Sequence, residues 1–175
     1  MKKLLSIFLA LGLLLPFTAA AQDRAEYQLD AGDTVRVNVF GEENLSGDFQ
    51  VGNEGSVAIP LIGSVKAQGL TISELEVAIE DALQPDYLKN PQVSVDVLNY
   101  RPFYILGEVN QPGSYPFVSG MTVIEAVAMA GGFTYRARTK EVYVQRTGSG
   151  EEEILFSVND IIMPGDVIRV RERIF

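Results

Sequence analysis

The sequence predicts an α+β protein built from two small modules, each a mixed sheet with one main helix. One observation is a repeated unit, an apolar run that ends on Gly-x-Val and leads to a Thr-x-x-Glu helix start, at residues 63–74 and 107–125. The other is a repeated Gly-Asp turn ahead of an alternating apolar stretch, at Gly32-Asp33 and Gly165-Asp166. Because each pattern occurs twice, we expect two related modules rather than one larger domain.

Residues 1–21 differ in character from the rest of the chain. Two lysines precede an apolar run at 4–15, and Ala19–Ala21 offers an A-x-A cleavage site before Gln22. The run is shorter than the roughly 20 residues that cross a bilayer, which disfavours the alternative of an uncleaved anchor. We therefore expect a cleaved signal peptide and an exported, periplasmic protein.

The composition excludes several classes of protein. The chain has no cysteine and no histidine, which removes disulfides, Cys or His nucleophiles and nearly all zinc sites. Gln22 stands where a lipoprotein would need its cysteine. The formal net charge of −9 gives no electrostatic reason to bind nucleic acid. We expect no cofactor and no metal.

Module one, residues 22–99, is predicted to contain four strands and one helix. Alternation of valine with polar residues over 35–39 indicates a strand with one buried face. Apolar residues spaced three and four apart from Ile72 to Leu83 indicate an amphipathic helix, which Pro85 ends. The predicted strands are 35–39, 49–51, 56–62 and 92–98, and the predicted helix is 71–83.

Module two, residues 100–175, is predicted to contain five strands and one helix. The short helix carries small apolar residues, which would let it pack close to a sheet, and it ends at Gly131-Gly132. A hairpin turn is predicted at 147–150. The predicted strands are 103–109, 115–118, 141–146, 153–158 and 166–172, and the predicted helix is 123–130.

The acidic side chains are interpreted as structural. Glu74 and Glu125 occupy the last position of the two Thr-x-x-Glu capping boxes, and Asp33 and Asp166 follow glycine in turns. The clusters Glu42-Glu43 and 151–153 are interpreted as solvated loops. A hydrolase using acids such as Glu42 and Glu54 is the weakest alternative, because the sequence offers no recognisable acid and base pair. We expect that the protein is not an enzyme.

Aromatic side chains beside cations are the one feature that suggests binding. They occur at the junction of the modules and again after the double glycine, where an aromatic face could stack on a sugar ring or anchor a protein interface. Phe103 and Phe133 are expected in the core instead. The candidate glycan or interface contacts are Tyr100, Arg101, Tyr104, Tyr135, Arg136 and Arg138.

Longer motifs resemble one bacterial family. In module one they are Tyr27-x-Leu29-x-x-Gly32-Asp33-x-Val35-Arg36-Val37, Val51-x-x-Glu54-Gly55-x-Val57-x-Ile59-Pro60-Leu61-Ile62-Gly63-x-Val65, Gly69-Leu70-Thr71 and Pro91-Gln92-Val93-x-Val95. In module two they are Leu106-Gly107-Glu108-Val109-x-x-Pro112-Gly113-x-Tyr115, Thr122-Val123-x-Glu125-Ala126 and Ala130-Gly131-Gly132-Phe133. The first set resembles the periplasmic domain of outer-membrane polysaccharide export proteins. The second is similar to the SLBB (soluble-ligand-binding β-grasp) domain that follows it in that family.

The resemblance implies a non-enzymatic subunit that forms rings and carries capsule or exopolysaccharide outward with an inner-membrane chain-length or polymerisation protein. Many members of the family start with a lipid-anchoring cysteine and end in an amphipathic pore helix. Neither is expected here, since Gln22 replaces the cysteine and few residues follow Val170. We therefore expect a short-form homo-oligomeric ring or adaptor, peripheral to the outer membrane, that needs a separate outer-membrane channel.

A monomeric periplasmic module that binds or senses carbohydrate through the residues around Tyr135 remains the main alternative.

Overall fold

The computed structural model describes residues 27–146 and 152–173. The predicted signal peptide and the predicted turn at 147–150 lie outside these residues. Within them the α+β class is confirmed, with two hydrophobic cores, one from Leu29 to Val95 and the other from Phe103 to Val170.

Within the described residues, module one contains a three-stranded antiparallel sheet, a separate hairpin and one α-helix. In chain order the elements are β1 (Thr34–Val39), β2 (Gly47–Gln50), β3 (Ser56–Ile59), β4 (Gly63–Lys66), α1 (Ile72–Leu83) and β5 (Val93–Asn99). The sheet order is β2-β1-β5, and in it Val35 lies opposite Phe49 and Val97. The helix α1 packs against β4 and β5, with Leu75, Ile79 and Leu83 fully buried.

The strand predicted over 56–62 is wrong at its end, because the chain turns at Pro60–Ile62 and returns as β4. Ile62 N donates to Pro60 O at 2.9 Å, which closes the turn. Leu61 lies there with a φ of 75°, a conformation that glycine or asparagine usually adopts. Because the residue there is a leucine, the sequence gives no sign of a turn and the hairpin was not predicted.

The described part of module two contains a five-stranded mixed sheet and one helix. Its elements are β6 (Phe103–Gly107), β7 (Gly113–Tyr115), α2 (Val123–Met129), β8 (Glu141–Gln145), β9 (Glu153–Ser157) and β10 (Val167–Val170). The strand order is β7-β6-β10-β8-β9. The last strand, β10, lies in the centre of the sheet, parallel to β6 and antiparallel to β8. The predicted strand at 115–118 is shifted, since β7 begins at Gly113 where the chain can first pair with Ile105.

The repeated Gly-Asp turns have the same geometry in both modules. Asp33 accepts from Asp30 N at 2.9 Å and Asp166 accepts from Met163 N at 2.8 Å, and both carboxylates are fully buried. Their interpretation as turn residues is confirmed. Both Thr-x-x-Glu capping boxes are also present, at Thr71 and Thr122.

The two kinds of repeat meet in space within each module. Leu29 N donates to Leu70 O at 2.9 Å, directly ahead of the capping box of α1. In module two, Ile162 N donates to Met121 O at 3.0 Å, directly ahead of the capping box of α2. The turn therefore precedes the helix in module one and follows it in module two.

None of the helices in the described ranges has both the length and the apolar character needed to cross a membrane.

Candidate functional site

The structure distributes the six candidate residues over three places. Tyr100 and Arg101 lie at the junction between the modules, and Tyr104 lies on the sheet face opposite α2. Tyr135, Arg136 and Arg138 lie together on the loop that follows α2.

At the junction, Arg101 is held by the buried turn of module one. Its backbone N–H donates to Asp33 Oδ1 at 2.8 Å, and its Nη1 lies 3.2 Å from Asp33 Oδ2. The same Nη1 donates to the Tyr27 hydroxyl at 2.8 Å, and the Tyr27 hydroxyl donates to Asp33. Burial, and then the hydrogen bond to Asp33, raises the pKa of Tyr27 far above its ordinary value. Tyr27 therefore remains a neutral donor to the carboxylate.

Tyr100 joins the same contact with its ring. The ring is edge-on to those of Tyr27 and Phe117, with distances between ring centres of 5.0 Å and 5.4 Å. Aromatic contacts therefore continue from module one into module two. With 16% of its side chain exposed, Arg101 offers little surface to a ligand. Tyr100 therefore contacts rings of both modules, and Arg101, at the start of module two, binds the turn of module one.

Tyr104 lies on the sheet face that is turned away from α2, which no helix among residues 27–146 and 152–173 covers. It is 45% exposed, beside Leu106 at 40%. On the same sheet the guanidinium of Arg171 lies 3.6 Å from the centre of the Tyr143 ring, and it donates to Glu153. That hydrogen bond is the main cause of the lowered pKa of Glu153. The face combines aromatic rings with paired charges.

Two of the remaining candidates, Tyr135 and Arg138, border a surface cavity of about 540 Å³. We call it the Tyr135 cleft, and it is lined by Thr134, Tyr135, Ala137, Arg138, Thr139, Lys140, Glu141 and Arg173. Its two walls are joined by backbone hydrogen bonds, from Arg138 N to Arg171 O at 2.9 Å and from Arg173 N to Arg136 O at 2.8 Å. This pairing brings together side chains that are far apart in the sequence.

The chemistry of the Tyr135 cleft suits a sugar that carries an anionic group. The Tyr135 ring is 84% exposed and can take the apolar face of a pyranose. Among the described lining residues there are three cations and one carboxylate, and the carboxylate, Glu141, accepts from Arg138 at 2.7 Å. The excess of cations stands out in a chain whose net charge is −9.

Sequence reasoning found part of this cleft. Tyr135 and Arg138 line it, whereas Arg136 lies outside the lining and pairs with Glu172. Lys140 and Arg173 were missed. Lys140 has no aromatic neighbour in the sequence, and Arg173 arrives only through the pairing of 136–138 with 171–173.

Within 27–146 and 152–173, the structure gathers no group of three or more histidine, cysteine, aspartate or glutamate side chains that could hold a metal ion.

Comparison with known families gives two matches in succession. The family described as polysaccharide biosynthesis/export protein matches residues 21–98. The SLBB domain matches residues 102–157.

The chain is also similar to curated proteins named for polysaccharide production and transport. The chain is 34% identical over 145 residues to the exopolysaccharide production protein ExoF of Rhizobium meliloti (strain 1021), an alignment that covers 74% of this chain and 34% of that protein. It is 29% identical over 109 residues to a polysialic acid transport protein, KpsD, of Escherichia coli, covering 61% of this chain and 20% of that protein. The chain thus spans about a third of the length of the first relative and a fifth of the length of the second.

Proposed function

Because the chain belongs to the polysaccharide biosynthesis/export protein family and joins that family's domain to an SLBB domain, we propose that it is a non-enzymatic periplasmic subunit of a capsule or exopolysaccharide export machinery. The single observation that carries the proposal is the ordered pair of domains, at 21–98 and 102–157. Two relatives named for exopolysaccharide production and polysialic acid transport support it.

In this proposal the protein assembles into a ring or adaptor and passes polysaccharide onward. An inner-membrane chain-length or polymerisation protein delivers the polymer, and a separate outer-membrane channel receives it. The sheets offer edges for such an assembly, because β2 and β5 end one sheet while β7 and β9 end the other. Unlike edges on one chain allow head-to-tail contacts, which close into rings when the rotation between subunits permits.

The Tyr135 cleft is the proposed contact with the polymer. We expect that Lys140→Glu weakens the binding of an acidic oligosaccharide about tenfold, because it puts a negative charge into a cleft lined by cations. Calorimetric titration of the purified protein with oligogalacturonate measures the change. Lys89→Glu makes the same charge change at an exposed site in module one and should leave the affinity unchanged. Equal affinities for the Lys140 and Lys89 variants would remove the cleft from the proposal.

A monomeric carbohydrate-binding or sensing module is the second candidate, and the cleft itself is the observation that favours it. Analytical ultracentrifugation with and without oligosaccharide separates the two functions. An export subunit should sediment as a closed oligomer, either alone or with polymer fragments present. A protein that binds oligosaccharide and stays monomeric throughout would favour the sensing module.

A further inference from the structure

Three turns of module one meet at the end that faces away from module two. They are residues 40–46, 60–62 and 84–88, and we call this end the tip. The strand β1 starts beside the junction at Asp33, and its six residues carry the chain about 20 Å toward the tip. Two neighbouring cavities, of about 520 and 430 Å³, open there, and Glu42 borders both.

Apolar side chains project from each of the three turns. Phe40 is 87% exposed, Leu61 is 61% exposed and Tyr87 is 48% exposed. Among the described residues other than glycine, Leu61 alone has a positive φ. A leucine in this conformation is unfavourable, and such residues are concentrated at functional sites. The exposed apolar side chains and the strained backbone of Leu61 together indicate a binding surface.

The polar groups around these side chains are amides, hydroxyls and carboxylates. Neither cavity has a lysine or arginine among its described lining residues. The Glu42 carboxylate has no ion-pair partner within residues 27–146 and 152–173. The groups that line the larger cavity beside Phe40 are Asn38, Glu42, Glu43, Ser46, Gln92 and Ser94.

The loop that carries Phe40 and Glu42 is fixed before any ligand arrives. Ser46 Oγ accepts from Val39 N at 2.9 Å and donates to Glu42 O at 2.9 Å. Phe40 N donates to Gln92 O at 2.9 Å, which ties the same loop to the start of β5. A preorganised loop loses little entropy on binding.

We propose that the tip is a subsite for a neutral pyranose segment of the transported polysaccharide, an inference that rests on the proposed function. The face of the Phe40 ring is electron-rich and fits the C–H face of a pyranose. Glu42 and Gln92 lie beside it to accept hydrogen bonds from sugar hydroxyls. Glu42 and Glu43 repel a uronate, so the tip complements the cation-lined Tyr135 cleft.

The same residues argue against a protein partner at the tip. Glutamate is depleted and arginine is enriched in the cores of protein interfaces, whereas the tip has two glutamates and no arginine among the lining residues. Cavities of about 430 and 520 Å³ lie within the range of small-molecule sites.

The probe for this subsite is the surface polysaccharide of the cells that produce the protein. The polymer is partially hydrolysed, and anion exchange separates neutral from acidic fragments. We expect the purified protein to bind the neutral fragments and Phe40→Ala to bind them about tenfold more weakly. Val118→Ala removes another apolar side chain that is 61% exposed and should bind as the unaltered protein does.

Leu61→Asn provides a second variant. Asparagine tolerates a positive φ, so the turn should be retained while the apolar group is lost. We expect weaker binding of neutral fragments with an unchanged or higher melting temperature.

The subsite is refuted if Phe40→Ala binds neutral fragments as tightly as the unaltered protein, if only acidic fragments bind, or if the polymer yields no neutral fragments. It is also refuted if Phe40→Ala abolishes binding of a purified partner protein and leaves fragment binding intact. None of these outcomes contradicts the export role, which is tested separately by whether cells without the gene keep their surface polysaccharide.

Discussion

Asp33→Ala is expected to reduce the free energy of unfolding by about 3 kcal/mol, because it removes the fully buried carboxylate that pairs with the Arg101 guanidinium in the junction. The Asp30 carboxylate, whose Oδ2 lies 3.5 Å from Arg101 Nη2, still compensates part of that charge. The loss also removes the acceptor of Arg101 N and of the Tyr27 hydroxyl. Since domains are stable by only about 5–15 kcal/mol, this is a large fraction of the total. Urea denaturation followed by circular dichroism measures the change.

Asp48→Ala is the matched control. Asp48 pairs with Arg36 at 2.7 Å in the same module, but about half of each side chain is exposed. Exposed pairs contribute about 0–1 kcal/mol, so the control should lose at most that much. Similar losses in the two variants would show that the junction is not the buried ionic contact described here.

Gly107→Ala should destabilise module two by about 3 kcal/mol or more. A Cβ at Gly107 would lie 2.1 Å from the carbonyl oxygen of Val170, in the parallel pairing of β6 with β10. The backbone would have to separate, and a positive φ of 90° adds strain of about 1–2 kcal/mol for alanine. Thermal denaturation of the purified variant measures the loss.

Gly120→Ala separates the clash from the strain. Gly120 has a similar φ of 82°, but a Cβ there meets no atom within 4 Å. The free energy of unfolding should therefore fall only by the cost of the backbone strain, about 1–2 kcal/mol. If the two variants lose the same free energy of unfolding, the close approach of β6 to β10 does not contribute to the effect of Gly107→Ala.

The helices and most strands could be predicted because their signals are local. Apolar spacing and the capping box placed α1 at 71–83, and the structure has it at Ile72–Leu83. The hairpin of β3 and β4 was missed because Leu61 adopts a positive φ, which is usual for glycine and which a leucine in the sequence does not indicate. The other error is the strand predicted at 115–118, because β7 begins where Gly113 pairs with Ile105 and the local sequence does not show that pairing.

The candidate sites show the same division between local and distant signals. Tyr135 and Arg138 were found from their neighbours in the sequence. The contact of Arg101 with Asp33 joins residues 68 positions apart, so a residue proposed for binding is held in a structural contact. The available signal was the aspartate of the turn, because a buried carboxylate needs a cationic partner. Asp33 pairs with Arg101, and in module two Asp166 pairs with Arg146 in the same way.

The export role is tested most directly by the amount of polysaccharide at the surface of cells that lack this gene, with all glycosyltransferase genes left intact. The measurement compares the deletion strain with the same strain carrying the gene on a plasmid. Our account predicts loss of surface polysaccharide in the deletion strain, with polymer-forming activity still present in its membranes, and recovery with the plasmid copy. Normal surface polysaccharide in the deletion strain would contradict it.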